Sequence, residues 1–237
     1  MPLRDLSIGL GVIVIWALNI IVIKVGVADM PPLLLTTLRF ALVALLLVPF
    51  HPVARHQLPF LALLSLTFGT LHFALLFIGL GQAEAGTGAL LLTSALGWAI
   101  SQLLIKRGPN VPPLALAGWV ALFAIPQVAL GSWWLERDQL AALGDAGWIG
   151  WGAVFYTAVM SSIVAYGAWY GLLRRHPVNR VVPLTLLVPV LAVGLGVLLL
   201  GDSLGPHKLI GGGLVIVGIG LIVLRFRKRG GTPRRAS

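Results

Sequence analysis

What most limits this chain is a succession of eight apolar runs, at residues 6–27, 32–50, 59–81, 87–105, 113–134, 148–172, 180–200 and 207–226. Each is about as long as a helix must be to cross the ~30 Å hydrocarbon layer of a bilayer. In lipid the backbone polar groups must be bonded within the protein, so such runs cross as helices. Charged residues make up 10% of the 237, and mean hydropathy is +0.99; a soluble domain carries about a quarter charged residues. The sequence predicts an all-α integral membrane protein of about eight transmembrane helices. The first run is too long for a signal peptide and lacks a cleavage-like end, so it reads as a retained span. With no cysteine in the chain, disulfides and thiol chemistry are excluded.

The net charge of +10 is sorted by position. With the N-terminus placed in the cytoplasm, 13 of the 17 basic residues fall at cytoplasmic segments or their edges, among them Arg55, Lys106, Arg107, Arg174, Arg175 and the tail RFRKRGGTPRRAS. Asp29, Glu84, Glu136, Asp138, Asp145 and Asp202 fall on the opposite side. Retention of Lys and Arg inside is what sets orientation. The basic excess is thus a topology signal and not a nucleic-acid face, and it predicts a multi-pass protein of the cell (inner or plasma) membrane with both termini cytoplasmic.

An internal duplication is visible in two segments. WALNIIVIKVG (16–26) aligns with WAISQLLIKRG (98–108), matching Trp16 with Trp98, Asn19 with Ser101, Lys24 with Lys106 and Gly26 with Gly108. One gap later Pro31-Pro32-Leu33 meets Pro112-Pro113-Leu114, and a weaker echo joins Phe77, Gly79 and Leu80 to Trp169, Gly171 and Leu172. The first and fourth spans are an odd number of crossings apart, so the copies run in opposite directions. Inverted-topology repeats are the architecture of many secondary transporters, whose site lies at mid-membrane where the repeats meet.

Several polar residues stand inside the runs. Asn19 shares a helical face with Trp16 and Ile23; it reads as a cavity wall, or as interhelical glue worth about 1 kcal/mol. Lys24 is near enough to the end of its run to snorkel. Arg39 lies two turns into its span, where a guanidinium needs a partner. Its fork suits a carboxylate, and a tie to backbone carbonyls serves equally. His72 reads as a packing residue before a proton carrier, although its pKa range suits the latter. The fourth span offers Trp98, Ser101 and Gln102, and the sixth Ser162, Tyr166 and Trp169 on one face. Pro183 and Pro189 interrupt the seventh. No HExxH, phosphate-cradling loop or buried carboxylate pair is present, so neither an enzyme nor a metal or cofactor site is expected.

WALN with Lys24, PPLLLTTLRF, AYGAWY (165–170), VPLTLLVPV (182–190), LLLGD (198–202) and KLIGGGLVIVGI (208–219) together resemble the EamA family of the drug/metabolite transporter superfamily. In appearance the chain is nearest to cysteine and O-acetylserine exporters. The resemblance implies an inner-membrane exporter of amino acids and metabolites, built in that family from five plus five inverted helices around a cavity. It also puts Trp16, Asn19, Arg39, Tyr166, Trp169 and Pro189 on family motif positions, with Asp202 where the family usually has Glu. The chain departs from the family in length. GLGQAEAGTGALLLTS (79–94) runs from the third span straight into what resembles the family's sixth, so the fourth and fifth helices are missing. The expected organisation is an incomplete three-helix repeat (1–86), a five-helix repeat (87–226) and a basic tail (227–237). Its expected partners are the bilayer, a small-molecule substrate and a second copy closing the vacancy. A transport-inactive deletion remnant, or a partner subunit, is the alternative.

Overall fold

The computed structural model describes residues 1–82 and 87–203, with positions 205, 213, 217 and 218 beyond them. Most of the eighth run, the whole basic tail and Glu84 lie outside the described residues. Among the described residues seven helices are long and apolar enough to cross a membrane. They are α1 (Leu3–Asp29), α2 (Pro32–Leu47), α3 (Arg55–Gly81), α4 (Thr87–Arg107), α5 (Pro113–Leu135), α7 (Trp148–Arg175) and α8 (Val182–Leu200). The short α6 (Gln139–Asp145) joins α5 to α7. No strand occurs among them, so the all-α membrane class holds.

The matched Pro-Pro pairs have a structural meaning. Pro32 and Pro113 each occupy the first turn of a helix, where proline's missing N–H costs nothing and its fixed φ is already helical. Trp133, Trp134 and Trp148 are exposed beside α6, which is how an aromatic belt marks a membrane–water boundary.

The chain divides into two compact units, residues 1–18 with 172–237, and residues 19–171. The division falls inside α1 and α7 and does not follow the repeat boundary near residue 86. In the first unit Asp5 pairs with Arg175 Nη1 at 2.9 Å and with His176 Nε2 at 2.6 Å. There α8 opens with a 3-10 turn at Val182–Leu186 before becoming α-helical at Leu187.

In the second unit α2 lies against α5, and α3 against both α4 and α5. Lipid tails are as apolar as leucine, so membrane helices gain most from close backbone approach. Gly69 of α3 shows this: a Cβ built there would stand 2.4 Å from Ala124 Cβ of α5. Gly97 of α4 does the same against α3, at 3.0 Å from the Thr67 carbonyl oxygen.

Two carboxylates close one end of this unit. The Leu33 and Leu34 N–H groups donate to Glu136 Oε1 (2.6 Å) and Oε2 (3.0 Å). The Gly147 and Gly150 N–H groups donate to Asp29 Oδ2 at 3.1 and 2.8 Å. Each acid follows one helix and caps the N-terminus of another, where unpaired N–H groups and the helix dipole favour a negative charge.

Both α3 and α7 widen in mid-course into π-helix, at Ser65–Ala74 and Thr157–Ala165. The sequence echo sets Phe77 against Trp169, 92 positions apart; the same step carries Ser65 to Thr157 and Thr70 to Ser162. The π segments therefore begin at repeat-equivalent positions. Hydroxyls within them take up loosened carbonyls: Ser65 donates to Ala62 O at 2.7 Å, and Ser162 to Thr157 O at 2.9 Å. Such π segments are uncommon and concentrate at functional sites.

Candidate functional site

The π segments of α3 and α7 are where the second unit gathers its polar side chains. Arg39, on the buried face of α2, has no exposure at all. Its Nε–H donates to Ser162 Oγ at 2.9 Å, and its guanidinium carbon lies 3.9 Å from the centroid of Phe73. Phe77 and Phe40 complete the surround at 5.5 and 5.7 Å, within the range at which an aromatic face attracts a cation. Nη1 is buried without a hydrogen-bond partner among the described residues, as are both polar atoms of the Gln102 carboxamide.

Beside it, a cavity of about 20 Å³ is lined by Ser162, Tyr166, Tyr170, Phe40, Phe73 and Phe68 among others. That space admits one or two water-sized atoms. Tyr166 packs edge-on to Phe68 and Phe73, with ring centroids 5.2 and 5.9 Å away, and its hydroxyl is hydrogen-bonded to the indole of Trp98. Gln102 faces the Tyr170 hydroxyl. Trp169 is fully buried.

Asn19 is buried, and its Oδ1 lacks a hydrogen-bond partner. Ser101 Oγ donates to Gly97 O at 2.7 Å and lies 3.0 Å from Thr67 Oγ1, tying α4 to the π segment of α3. His72 belongs to the same seam. Ser94 Oγ donates to the His72 carbonyl at 2.9 Å, while His72 Nδ1 meets Ser94 O and Oγ at 3.1 and 3.0 Å. A carbonyl only accepts, and the serine proton is already committed, so Nδ1 is the donor. The ring also stacks on Phe68, with centroids 5.7 Å apart. Trp16 and Pro189 fall in the other unit, the tryptophan buried and the proline exposed in the first α-helical turn of α8, just past its 3-10 opening.

One centre escaped the reading of the sequence. Gln127, next to Pro126 inside α5, receives the Thr70 hydroxyl on Oε1 at 2.5 Å. Its Nε2 donates to Ser65 Oγ at 2.7 Å and to Phe123 O at 2.9 Å. The signal was a carboxamide in an apolar span, but the repeat alignment pairs it with Leu46 and so gave it no echo.

Comparisons with known proteins agree with this architecture. The model of the EamA-like transporter family matches twice, at residues 5–94 and 86–224, the first match being about 50 residues shorter than the second. A "probable amino-acid metabolite efflux pump" of Salmonella typhimurium is 31% identical over 297 positions, covering 97% of this chain and 98% of that protein. Its Escherichia coli namesake is 29% identical over 295 positions, covering 96% of this chain and 98% of that protein. An uncharacterized inner membrane transporter of Escherichia coli, YedA, is 25% identical, covering 89% of this chain and 88% of that protein. In the first alignment 97% of 237 residues is about 230, so about 67 of the 297 positions are filled in the relative alone. No solved structure matches.

Proposed function

The chain belongs to the EamA-like transporter family, and on that premise we propose that it exports small, polar, amino-acid-like metabolites by alternating access between inverted repeats. Export of small metabolites across a membrane is the activity that membership and relatives carry. The substrate class follows from the names of the relatives and from side chains that a purely structural bundle would not need. The observation that carries it is a buried Arg39 and a buried Asn19, each with a polar atom that has no hydrogen-bond partner among the described residues. One is a donor and the other an acceptor, the pair of functions that a zwitterion satisfies.

The double family match supports duplication, and the repeat-equivalent π segments give each copy a wide turn able to re-register. Both termini are placed in the cytoplasm on the charge asymmetry. The shortened first match supports a three-plus-five arrangement, with a second copy closing the wall left by the missing pair.

Cells expressing the chain are expected to resist a toxic amino-acid analogue, and Asn19→Leu to abolish resistance at unchanged membrane abundance. Resistance that survives the substitution removes Asn19 from the pathway. The shortening also favours a second reading, a transport-inactive remnant or partner subunit. Flux of amino acids through liposomes containing the purified chain alone would end it, and its absence would sustain it.

A further inference from the structure

We infer that Arg39 Nη1 is the docking point for a single carboxylate of the transported solute, an inference that rests on the exporter reading and names the charge its site selects.

The molecule supplies its own reference for a purely structural tie. Thr70 and Ser162 are repeat-equivalent hydroxyls in repeat-equivalent π segments, and each is met by a polar side chain from the second helix of the other repeat. Gln127 meets Thr70 with both ends of its carboxamide satisfied, by Thr70, Ser65 and Phe123. Arg39 meets Ser162 through Nε alone and keeps Nη1 bare, although the residue is wholly buried. A tie needs no surplus donor, whereas a receptor for a planar anion does: a guanidinium presents several N–H groups in a fixed fork matched to carboxylate oxygens.

The charge is also without a counter-ion among the described residues. Among the described residues Arg39 is the one buried cation, and the acids sit at helix ends. Asp5 is engaged by Arg175 and His176, Asp29 by the start of α7, and Glu136 by the start of α2. Phenyl faces attract the cation but leave its N–H groups unsatisfied. A lone monovalent cation matches one carboxylate; a dianionic phosphate would call for a second base. A cavity of about 20 Å³ shares Ser162, Phe40 and Phe73 with the surround of Arg39, without Arg39 itself in its lining, and is otherwise bounded by Tyr166, Tyr170 and apolar side chains; it has room for oxygen-sized atoms and not for a whole metabolite.

The test uses the purified full chain in detergent, with sodium acetate as probe against acetamide and sodium chloride at equal ionic strength. Acetate is expected to raise the melting temperature by about 3 °C or more at saturation, through preferential binding to the folded state. Acetamide and chloride should not, and Arg39→Gln should abolish the shift. Ser162→Ala, which removes no charge and leaves the guanidinium unanchored, should raise the half-saturating acetate concentration at least threefold. An acetate shift matched by acetamide, absent from the native chain, or retained in Arg39→Gln overturns the inference, and the first two outcomes need no variant to fold. Liposome flux separates this from the exporter reading. If amino acids and their methyl esters cross equally fast, the carboxylate site falls and export stands. If an acetate shift accompanies no flux of any solute, the anion site is kept and its assignment to a transported solute is overturned.

Discussion

Thr70 and Ser162 hold the same place in repeat-related helices, yet the side chains that meet them behave in opposite ways. Gln127 comes from two turns deeper in α5 than Arg39 does in α2, counted from Pro113 and Pro32, and every polar atom of its carboxamide is taken. It holds α3 to α5 where Gly69 and Ala124 already bring the backbones together. Arg39 holds α2 to α7 with one hydrogen bond and a ring of phenylalanines, and leaves a charged donor bare. The two crossings are alike in placement, one closed and the other open. A saturated contact resists change at its site, while an unsaturated one stores the capacity to bind.

The sharpest way to break this contrast is to remove the open partner. Arg39→Leu takes away a buried charge with no counter-ion among the described residues, and its removal relieves the desolvation cost of an unpaired buried ion. Melting temperature is expected to hold or rise. Flux of a carboxylated solute per folded molecule should fall about 100-fold, or about 2.7 kcal/mol, within the range for truncating one partner of a desolvated charge pair. A protein that loses abundance and melting temperature while keeping its flux would put Arg39 beside Gln127 as a tie.

The converse is expected of Gln127→Leu. Three hydrogen bonds vanish, and within membranes each is worth on average about 0.6 kcal/mol, so the loss should be about 2 kcal/mol. Unfolding titration in mixed micelles would measure it. Flux per folded molecule should stay within about twofold of the native chain, and a large selective loss of flux would show that the α3–α5 crossing also handles the solute.

Much of this was legible in the letters. The spans follow from run length because hydrocarbon thickness dictates it. The expectation of an inverted repeat rests on Trp16 and Trp98, on Lys24 and Lys106, and on two Pro-Pro pairs, which start α2 and α5. Arg39 declared itself by cost alone. The difference between Arg39 and Gln127 was not legible, since whether a polar group is satisfied depends on partners 57 to 123 positions away. The π segments were hidden as well: SLTFGTLHFA and TAVMSSIVA share little beyond hydroxyls, and the wide turn appears only when neighbouring helices pack against it. His72 shows the same limit from the other side. Its chemistry admitted a proton carrier, and the Ser94 contact that occupies its Nδ1 leaves no trace in the sequence. Asp29 and Glu136 were sorted only to the side opposite the basic residues, because a cap on another helix leaves no local pattern.

Glu136 gives the smallest and most selective test of the contrast. It follows α5, the helix of Gln127, and caps α2, the helix of Arg39, while also accepting from Ser132 Oγ at 2.6 Å. Glu136→Gln keeps one acceptor oxygen, loses the charge at the helix N-terminus, and points N–H groups at N–H groups. Caps and dipole contacts of this kind are worth about 1 kcal/mol. Amide hydrogen exchange at Leu33 and Leu34 should therefore quicken about fivefold, as a local opening rather than a global one. If the two crossings are independent, exchange across Ser65–Thr70 stays unchanged, because Gln127 holds that segment through contacts the cap does not touch. Equal acceleration in both places would mean that α2 and α5 open as one body, and the closed and open crossings would then be two ends of a single switch.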